Sequence, residues 1–533
     1  MFAALALPLL SLLAAAQASS NQSQPIQWQP CDETEVNSTV PIQCGNFHVP
    51  LDYTDKTSDA TLKLELAKVP ATSQPSKGSI LFNFGGPGGE GRPGLASLAP
   101  ILLALTGGKH DLIAFDPRGT GNTLPFSCID TELDKFVFLS ELKLANSSDT
   151  ALGRLWAVGE THANLCLKNG NETGRLISTA FVARDFISVV DAIEEDRMLR
   201  YWGMSYGTTL GATIAAMFPD KIDKMILDGV QNPHEYYNAL SDFEEWTDSD
   251  KVFSAIFSHC IEAGPDRCAL AGRNATAAEL EQSIWDLLYK IKEQPIPVGN
   301  AVLDYSTLKM MLAEALYTPD HWPSLTKNLA ALLDGDVPEA WRNVFSLIGE
   351  PEILISLYGI HCGEKRVRAA SLDEFLPAVD KLSRISRIFG DLLSIAIACS
   401  HWKIEAKERY TGDFQVKTKN PVLFIGNTFD GHTPLVSAYN VSSGFEGSVV
   451  LEVNGYGHGS VALPSKCTLE TVSKYWEDGT LPDPETVCKV DAPPFSGLSW
   501  PDILNSTSGN ETANVKRNTY VPGRGHINNS WLV

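Results

Sequence analysis

Positive charge is scarce in this 533-residue chain: 42 Lys and Arg stand against 64 Asp and Glu, a formal net charge of -22. A field of that sign repels nucleic acid and anionic membranes, so neither is an expected partner. Long apolar runs are scarce too. After the first eighteen residues nothing approaches the about 20 residues a membrane-spanning helix needs. There is no His-Glu-x-x-His, no Cys-x-x-Cys and no Cys/His spacing of the zinc type, hence no ground for expecting a metal centre or a redox dithiol. No cofactor is expected. Compositional bias is also missing: 44% hydrophobic and 20% charged residues, with 41 Gly and 31 Pro, exclude disorder, collagen and coiled coil. The length predicts either one large core with a sizeable insertion or two domains.

What is present first concerns compartment. Phe2 to Ala16 is an apolar run ending in Ala16-Gln17-Ala18, the small-x-small pattern that signal peptidase reads. Residues 1–18 are therefore expected to be a signal peptide, although its n-region lacks Lys and Arg. A short membrane anchor is the rival, disfavoured by the run's length and by Pro8 and Ser11. Ten cysteines and nine Asn-x-Ser/Thr sequons, at Asn21, Asn37, Asn146, Asn171, Asn274, Asn440, Asn505, Asn510 and Asn528, fit an oxidising, glycosylating route. The cysteines fall into neighbouring couples, Cys31/Cys44, Cys128/Cys166, Cys260/Cys268, Cys362/Cys399 and Cys467/Cys488. That pairing is expected to staple loops, though spacing alone does not prove it. The protein is expected to be secreted or held in the secretory pathway or a vacuole.

Short β-rich runs alternate with amphipathic ones. Residues 42–52, Thr61–Leu66, Ser79–Phe84, Asp111–Phe115, Leu199–Trp202, Lys224–Leu227, Val422–Ile425 and Ser448–Val453 read as strands. Residues 181–195 read as a helix, with Phe186, Val189, Val190 and Ile193 on one face behind Ser178. This is the pattern of a mostly parallel sheet. The expected division is an α/β core over 19–230 and 416–488, a helical cap inserted at 231–415 over one edge of the sheet, and an extended, glycosylated tail over 489–533. That tail is neither apolar enough for a GPI signal nor ended by a retention tetrapeptide.

The chemistry concentrates at strand ends. Gly203-Met204-Ser205-Tyr206-Gly207 lies between a strand and a helix that stops at Pro219, the context of a nucleophile elbow. A serine hydroxyl needs a general base that is itself oriented by a carboxylate. Asp430 follows the strand Val422–Ile425, and His458 follows Ser448–Val453, in the order such a fold demands. His432 is the rival base and Asp228 the rival acid, the latter read mainly as a turn-stabilising residue. The loop Gly85-Gly86-Pro87-Gly88-Gly89-Glu90-Gly91 offers backbone for an oxyanion hole, with Gly86 and Tyr206 N–H as the expected donors and Gly85 as an alternative. A dinucleotide-loop reading of Gly86, Gly88 and Gly91 is opposed by Pro87 and Pro93. Asp116-Pro117-Arg118-Gly119 reads as a braced turn beside that loop.

Taken together with Val49-Pro50-Leu51-Asp52-Tyr53, Thr433-Pro434 and Gly457-His458-Gly459, these motifs mark a resemblance over most of residues 40–490. The chain resembles secreted α/β-hydrolases of the peptidase S33 group, the tripeptidyl aminopeptidases of actinomycetes and their fungal relatives, with a TAP-like C-terminal region. Glu90 and Thr123 stand where family members often carry Ser. The resemblance implies an α/β-hydrolase fold and a serine hydrolase, an exopeptidase releasing N-terminal residues or short peptides from a peptide substrate. A free amino terminus would be held by carboxylates of the cap, where Glu244, Glu245 and Asp248 look no different from a solvated acidic face. Three rivals are carried: an esterase or amidase for a small metabolite, a serine carboxypeptidase (whose elbow reads Gly-Glu-Ser-Tyr where Met204 stands here), and a catalytically silent binding module.

Overall fold

A computed structural model describes residues 26–507 apart from 33, 35, 130, 195, 300 and 338–350. The expected signal peptide, Asn21, Asn510, Asn528 and the chain after Thr507 lie outside the described residues. Ten strands form one sheet, in the spatial order Gln29–Pro30, Gln43–Pro50, Thr61–Val69, Asp111–Phe115, Ser79–Asn83, Leu199–Met204, Ile222–Asp228, Leu423–Phe429, Val449–Tyr456, Val487–Lys489. The first three pairings are antiparallel and the other six parallel. Each strand type follows from its sequence. Thr61–Val69 opens with alternating exposed and buried residues, whereas Leu199–Met204 is buried throughout, as a central parallel strand covered on both faces must be.

Parallel pairing brings the important strand ends to one edge. Met204 lies opposite Asp228, Asp228 opposite Ile425, and Phe429 opposite Tyr456. The strand after Val422 runs on to Phe429, further than its apolar run predicts. Asp430 is thus the first residue past the strand, and Ser205 and His458 leave the same edge.

Helix Thr179–Ile193 forms as expected, with the Ser178 hydroxyl accepting from Phe181 N–H at its start. The segment expected to be a cap is mainly helical: Ser249–Ala263, Ala277–Glu293, Tyr305–Glu314 and Trp322–Leu333 contribute to an apolar cluster that includes Phe253, Phe257, Trp285, Leu308 and Trp322. Thr276 and Glu279 close a capping box on the second of these. Downstream, Ser394–His401 packs on a 24-residue helix, Ala151–Gly174, so tightly that a Cβ at Gly159 would lie 2.7 Å from Ile397. That helix precedes the nucleophile strand in sequence, so helices from both sides of the strand build the layer.

All five expected cysteine couples are disulfides. The C-terminal segment differs from expectation within the described residues. Instead of running extended it ends in a helix, Trp500–Thr507, because Trp500 and Ile503 share a buried face and Trp500 Nε1 donates to Val461 O at 2.7 Å. Among the described residues, no helix is long and apolar enough to cross a membrane.

Candidate active site

From Leu199 to Ala215 every residue is buried except Ser205. Its backbone takes φ +56° and ψ -128°, a region costing a non-glycine residue about 1–3 kcal/mol, and this turn lifts the side chain out of the buried run. The flanking glycines make the turn feasible. A Cβ at Gly203 would sit 2.1 Å from Gly207 O, and one at Gly207 2.4 Å from Asn83 O. Ser205 N–H donates to Asp228 O at 3.1 Å, tying the turn to the neighbouring strand.

Asp430 and His458 are brought together: His458 Nδ1 lies 3.1 Å from both carboxylate oxygens of Asp430. Asp430 is fully buried and also accepts from His432, Thr433 and Gly459 N–H and from the Thr433 hydroxyl at 2.9–3.0 Å. Burial opposes its charge, yet the neighbouring His458 and these donors hold its carboxyl below the ordinary range. His432, the rival base, gives Asp430 only its backbone N–H. Its ring is buried 3.7 Å from the Tyr317 ring, and burial with His458 nearby holds its pKa far below the usual histidine range. Asp228, the rival acid, holds Ser460 instead, accepting from its N–H at 2.8 Å and its hydroxyl at 2.6 Å. It therefore links the nucleophile turn, through its carbonyl, to the loop that carries His458.

The glycine loop abuts the nucleophile: a Cβ at Gly85 would lie 2.8 Å from Ser205 Cβ. Gly85 N–H is engaged by Asn83 Oδ1 at 3.1 Å, which removes it as an oxyanion donor. Tyr206 opens the helix Tyr206–Met217, so its N–H has no acceptor within the helix. With Gly86 at φ +108° before Pro87, Gly86 and Tyr206 remain the donors of choice. Glu90 turns toward the neighbouring turn, where a Cβ at Gly121 would lie 3.2 Å from its carboxyl carbon. Asp116 there binds Arg92, and Arg118 binds Asp185 and the carbonyls of Pro50 and Leu51, so the Asp-Pro-Arg-Gly motif is a brace.

The cap closes on these loops. Tyr317 O accepts from His458 N–H at 2.8 Å, and the Tyr317 ring stands 5.1 Å from the His458 ring. Of the cap acids noted in the sequence, Glu244 is engaged by Asn232, Ser437 and Asn440, and Asp248 by Lys251. Glu245 is different. Water reaches part of it, yet protein crowds its carboxylate, and burial reinforced by Asp242, Glu235 and Asp430 pushes its pKa well above the ordinary range against the opposing Lys365. Glu314, which the sequence did not single out, is pushed up to about 7 by burial. Both carboxylates act electrostatically on the Tyr317 hydroxyl. Among the described residues neither has an ion-pair or hydrogen-bond partner for its carboxylate. The only sequence signal for Glu314 is an acid at the last position of a helix, where the macrodipole disfavours it.

Comparison with known proteins bears on the fold. A family model described as the alpha/beta hydrolase fold matches residues 78–262, and one described as TAP-like protein matches 386–488. The chain has the α/β-hydrolase fold. Ser205 falls within the first match, and Asp430 and His458 within the TAP-like one. Over 494 residues the chain is 25% identical to serine protease Hip1 of Mycobacterium tuberculosis, covering 89% of this chain and 93% of that one. It is 24% identical over 490 residues to tripeptidyl aminopeptidase of Streptomyces lividans, covering 88% and 87%. To carboxylesterase B of Mycobacterium tuberculosis it is 27% identical over 498 residues, covering 86% and 89%. A solved acetylester hydrolase from Corynebacterium glutamicum aligns over 78% of this chain and 91% of its own at TM-score 0.35 and 12% identity, too loosely to carry an argument.

Proposed function

We propose that the protein is a secreted serine exopeptidase that takes peptides by their free amino terminus. Ser205 Oγ attacks the scissile carbonyl and passes its proton to His458 Nε2, while Asp430 holds His458 Nδ1–H and stabilises the imidazolium. The tetrahedral oxyanion accepts from Gly86 and Tyr206 N–H. His458 then protonates the leaving amine, and water, activated by the same histidine, releases the acyl group from Ser205.

The observation that carries the peptide reading is the pair Glu245 and Glu314. Crowded carboxylates are normally paired with cations, and two that lack an ion-pair partner among the described residues and both act on Tyr317, whose carbonyl accepts from His458 N–H, are complementary to an ammonium group. A substrate amine would supply the missing charge. The names of the serine protease and aminopeptidase relatives support the same reading. Secretion is supported by the five disulfides and by six sequon asparagines, of which Asn37, Asn146, Asn274, Asn440 and Asn505 are exposed and Asn171 partly so.

The relative named as a carboxylesterase favours a second reading, an esterase using the same serine. One matched set separates them: a tripeptidyl anilide with a free amino terminus, its N-acylated twin and a short acyl ester, each assayed with wild type and Ser205→Ala. Turnover confined to the free-amine peptide and abolished in Ser205→Ala, with kcat down about a million-fold, is the expected result. Cleavage of the ester alone, still requiring Ser205, moves the protein to the esterases. Activity unchanged in folded Ser205→Ala leaves only a different catalytic centre.

A further inference from the structure

Beneath the nucleophile turn lies a buried polar chain that the reaction above does not use. Thr179 opens helix Thr179–Ile193, and its Oγ1 lies 2.6 Å from Glu364 Oε1 and 2.6 Å from the Tyr206 hydroxyl. Since a carboxylate accepts, Thr179 donates to Glu364 and Tyr206 donates to Thr179. Tyr236 also donates to Glu364 Oε1, at 3.3 Å. Thr179, Glu364 and Tyr236 are fully buried and Tyr206 is 4% exposed.

Glu364 belongs to the cap. It follows the helix Pro351–Leu357 and its continuation Tyr358–Cys362. The same segment presses on the glycine loop, where a Cβ at Gly88 would lie 2.7 Å from Ile353 O and 3.3 Å from Leu357 N. One stretch of cap thus touches both sides of the oxyanion site: the loop that holds Gly86, and the side chain of the residue that supplies the other N–H.

We infer that Glu364 is a positioning residue for the oxyanion hole, holding Tyr206 through Thr179 so that the Tyr206 N–H points at the developing charge. The inference rests on the serine-hydrolase reading with Gly86 and Tyr206 as donors. Tyr206 is the first residue of its helix and follows a strained turn, and the peptide that carries its N–H is held on the carbonyl side, where Thr208 N–H and hydroxyl donate to Ser205 O at 2.8 and 2.6 Å. Anchoring the phenol at the far end of the side chain holds the residue on its other side. Only Glu364 Oε1 takes part. The other oxygen is buried without a partner among the described residues, and burial pushes the acid up to about 7. A neutral side chain with one acceptor is enough, which makes Glu364→Gln the conservative variant and Glu364→Leu the disruptive one.

The test is a kinetic comparison per folded enzyme, with thermal midpoints recorded alongside. Glu364→Leu is expected to lower kcat about tenfold with KM within about twofold, since an oxyanion contact is made in the transition state only. Glu364→Gln is expected to recover kcat to within about threefold. Tyr206→Phe is expected to lower kcat about as much as Glu364→Leu, and the double variant no further, because the two act through one chain. If Glu364→Leu does not fold, Thr179→Val takes its place in the cycle. Effects of the two sites that multiply, or a lowered thermal midpoint with kcat unchanged, overturn the positioning role. Ser205→Ala is the control that keeps the two conclusions apart: activity surviving there sinks the serine-hydrolase reading, whereas its loss there with kcat intact in Glu364→Leu sinks this inference alone.

Discussion

Asp430 and Glu245 are carboxylates crowded by protein and near enough to act on one another, and their surroundings treat them in opposite ways. Asp430 sits on a sheet-edge loop with three backbone N–H groups, a hydroxyl and an imidazole on its two oxygens, and its pKa is lowered despite burial. Glu245 and Glu314 sit on the cap, where burial raises theirs. Lys365 opposes the rise at Glu245 without an ion pair or hydrogen bond to it, and burial alone accounts for the rise at Glu314. The difference separates two tasks. On the proposed reading, a carboxylate that must stay ionised through every turnover is satisfied by the protein itself, whereas one that binds a substrate amine is left for the substrate to satisfy.

The comparison breaks most visibly at its satisfied end. Asp430→Asn would turn an amide toward donors that now meet an acceptor and would favour the wrong tautomer of His458. Activity is expected to fall by about ten-thousand-fold, on peptide and ester substrates alike, with the fold retained as judged by circular dichroism. A loss confined to one substrate class would mean that Asp430 acts in recognition.

At the unsatisfied end the expected loss is smaller and selective. Glu245→Gln and Glu314→Gln each remove a charge and little volume, so KM for a free-amine peptide should rise about 10- to 100-fold, the scale of a charge-assisted contact. kcat should change little, and the N-acylated twin and the ester should not respond. Equal effects on all three substrates would make these acids part of the cap's architecture.

The same contrast governs pH. Glu314 gains its charge as pH rises through about 7, so KM for the free-amine peptide should fall over that interval. It should rise again as the substrate's own α-amine loses its proton near about 8. With Glu314→Gln the lower limb should weaken, which steady-state kinetics from pH 5.5 to 9 will read.

The two regions also differ in how plainly the sequence announces them. Ser205, Asp430 and His458 each follow a buried apolar strand, and parallel pairing carries strand ends to one edge, so local pattern sufficed to bring the acid and the histidine together. Gly85 needed structure, because only the Asn83 side chain shows that its N–H is taken. Glu245 lay among three similar acids, and what separates it is that Glu244 has partners from distant segments, Ser437 and Asn440, while Asp248 pairs with Lys251. Glu314 had no motif at all. Helix Ala151–Gly174 escaped for a related reason: its small residues, Gly159 among them, serve contact with a helix more than two hundred positions away. The end of the chain read as extended because its Pro and Gly outweighed the two apolar residues that dock the last described helix. The catalytic motifs are written locally, whereas the lack of partners at Glu245 and Glu314 is a property of packing.

The smallest expected effect is on stability. Glu314 has its folded-state pKa raised from 4.5 to about 7, so the folded state binds this proton more tightly than the unfolded chain does. Its favourable contribution is therefore complete below about 4.5 and is lost as pH rises through about 7, after which the folded protein carries a crowded, partly water-accessible charge with no protein partner among the described residues. Glu314→Gln, neutral at every pH, should leave the thermal midpoint unchanged at pH 4.5 and raise it at pH 8 by roughly 1–3 °C, corresponding to about 1–3 kcal/mol in a chain of this size. A free-amine product peptide should raise the wild-type midpoint at pH 8 and do less for the variant, since the ligand brings the charge that the cap omits. A midpoint that stays put at pH 8 in Glu314→Gln would mean that the carboxylate has compensation after all, and the contrast with Asp430 would then rest on Glu245 alone.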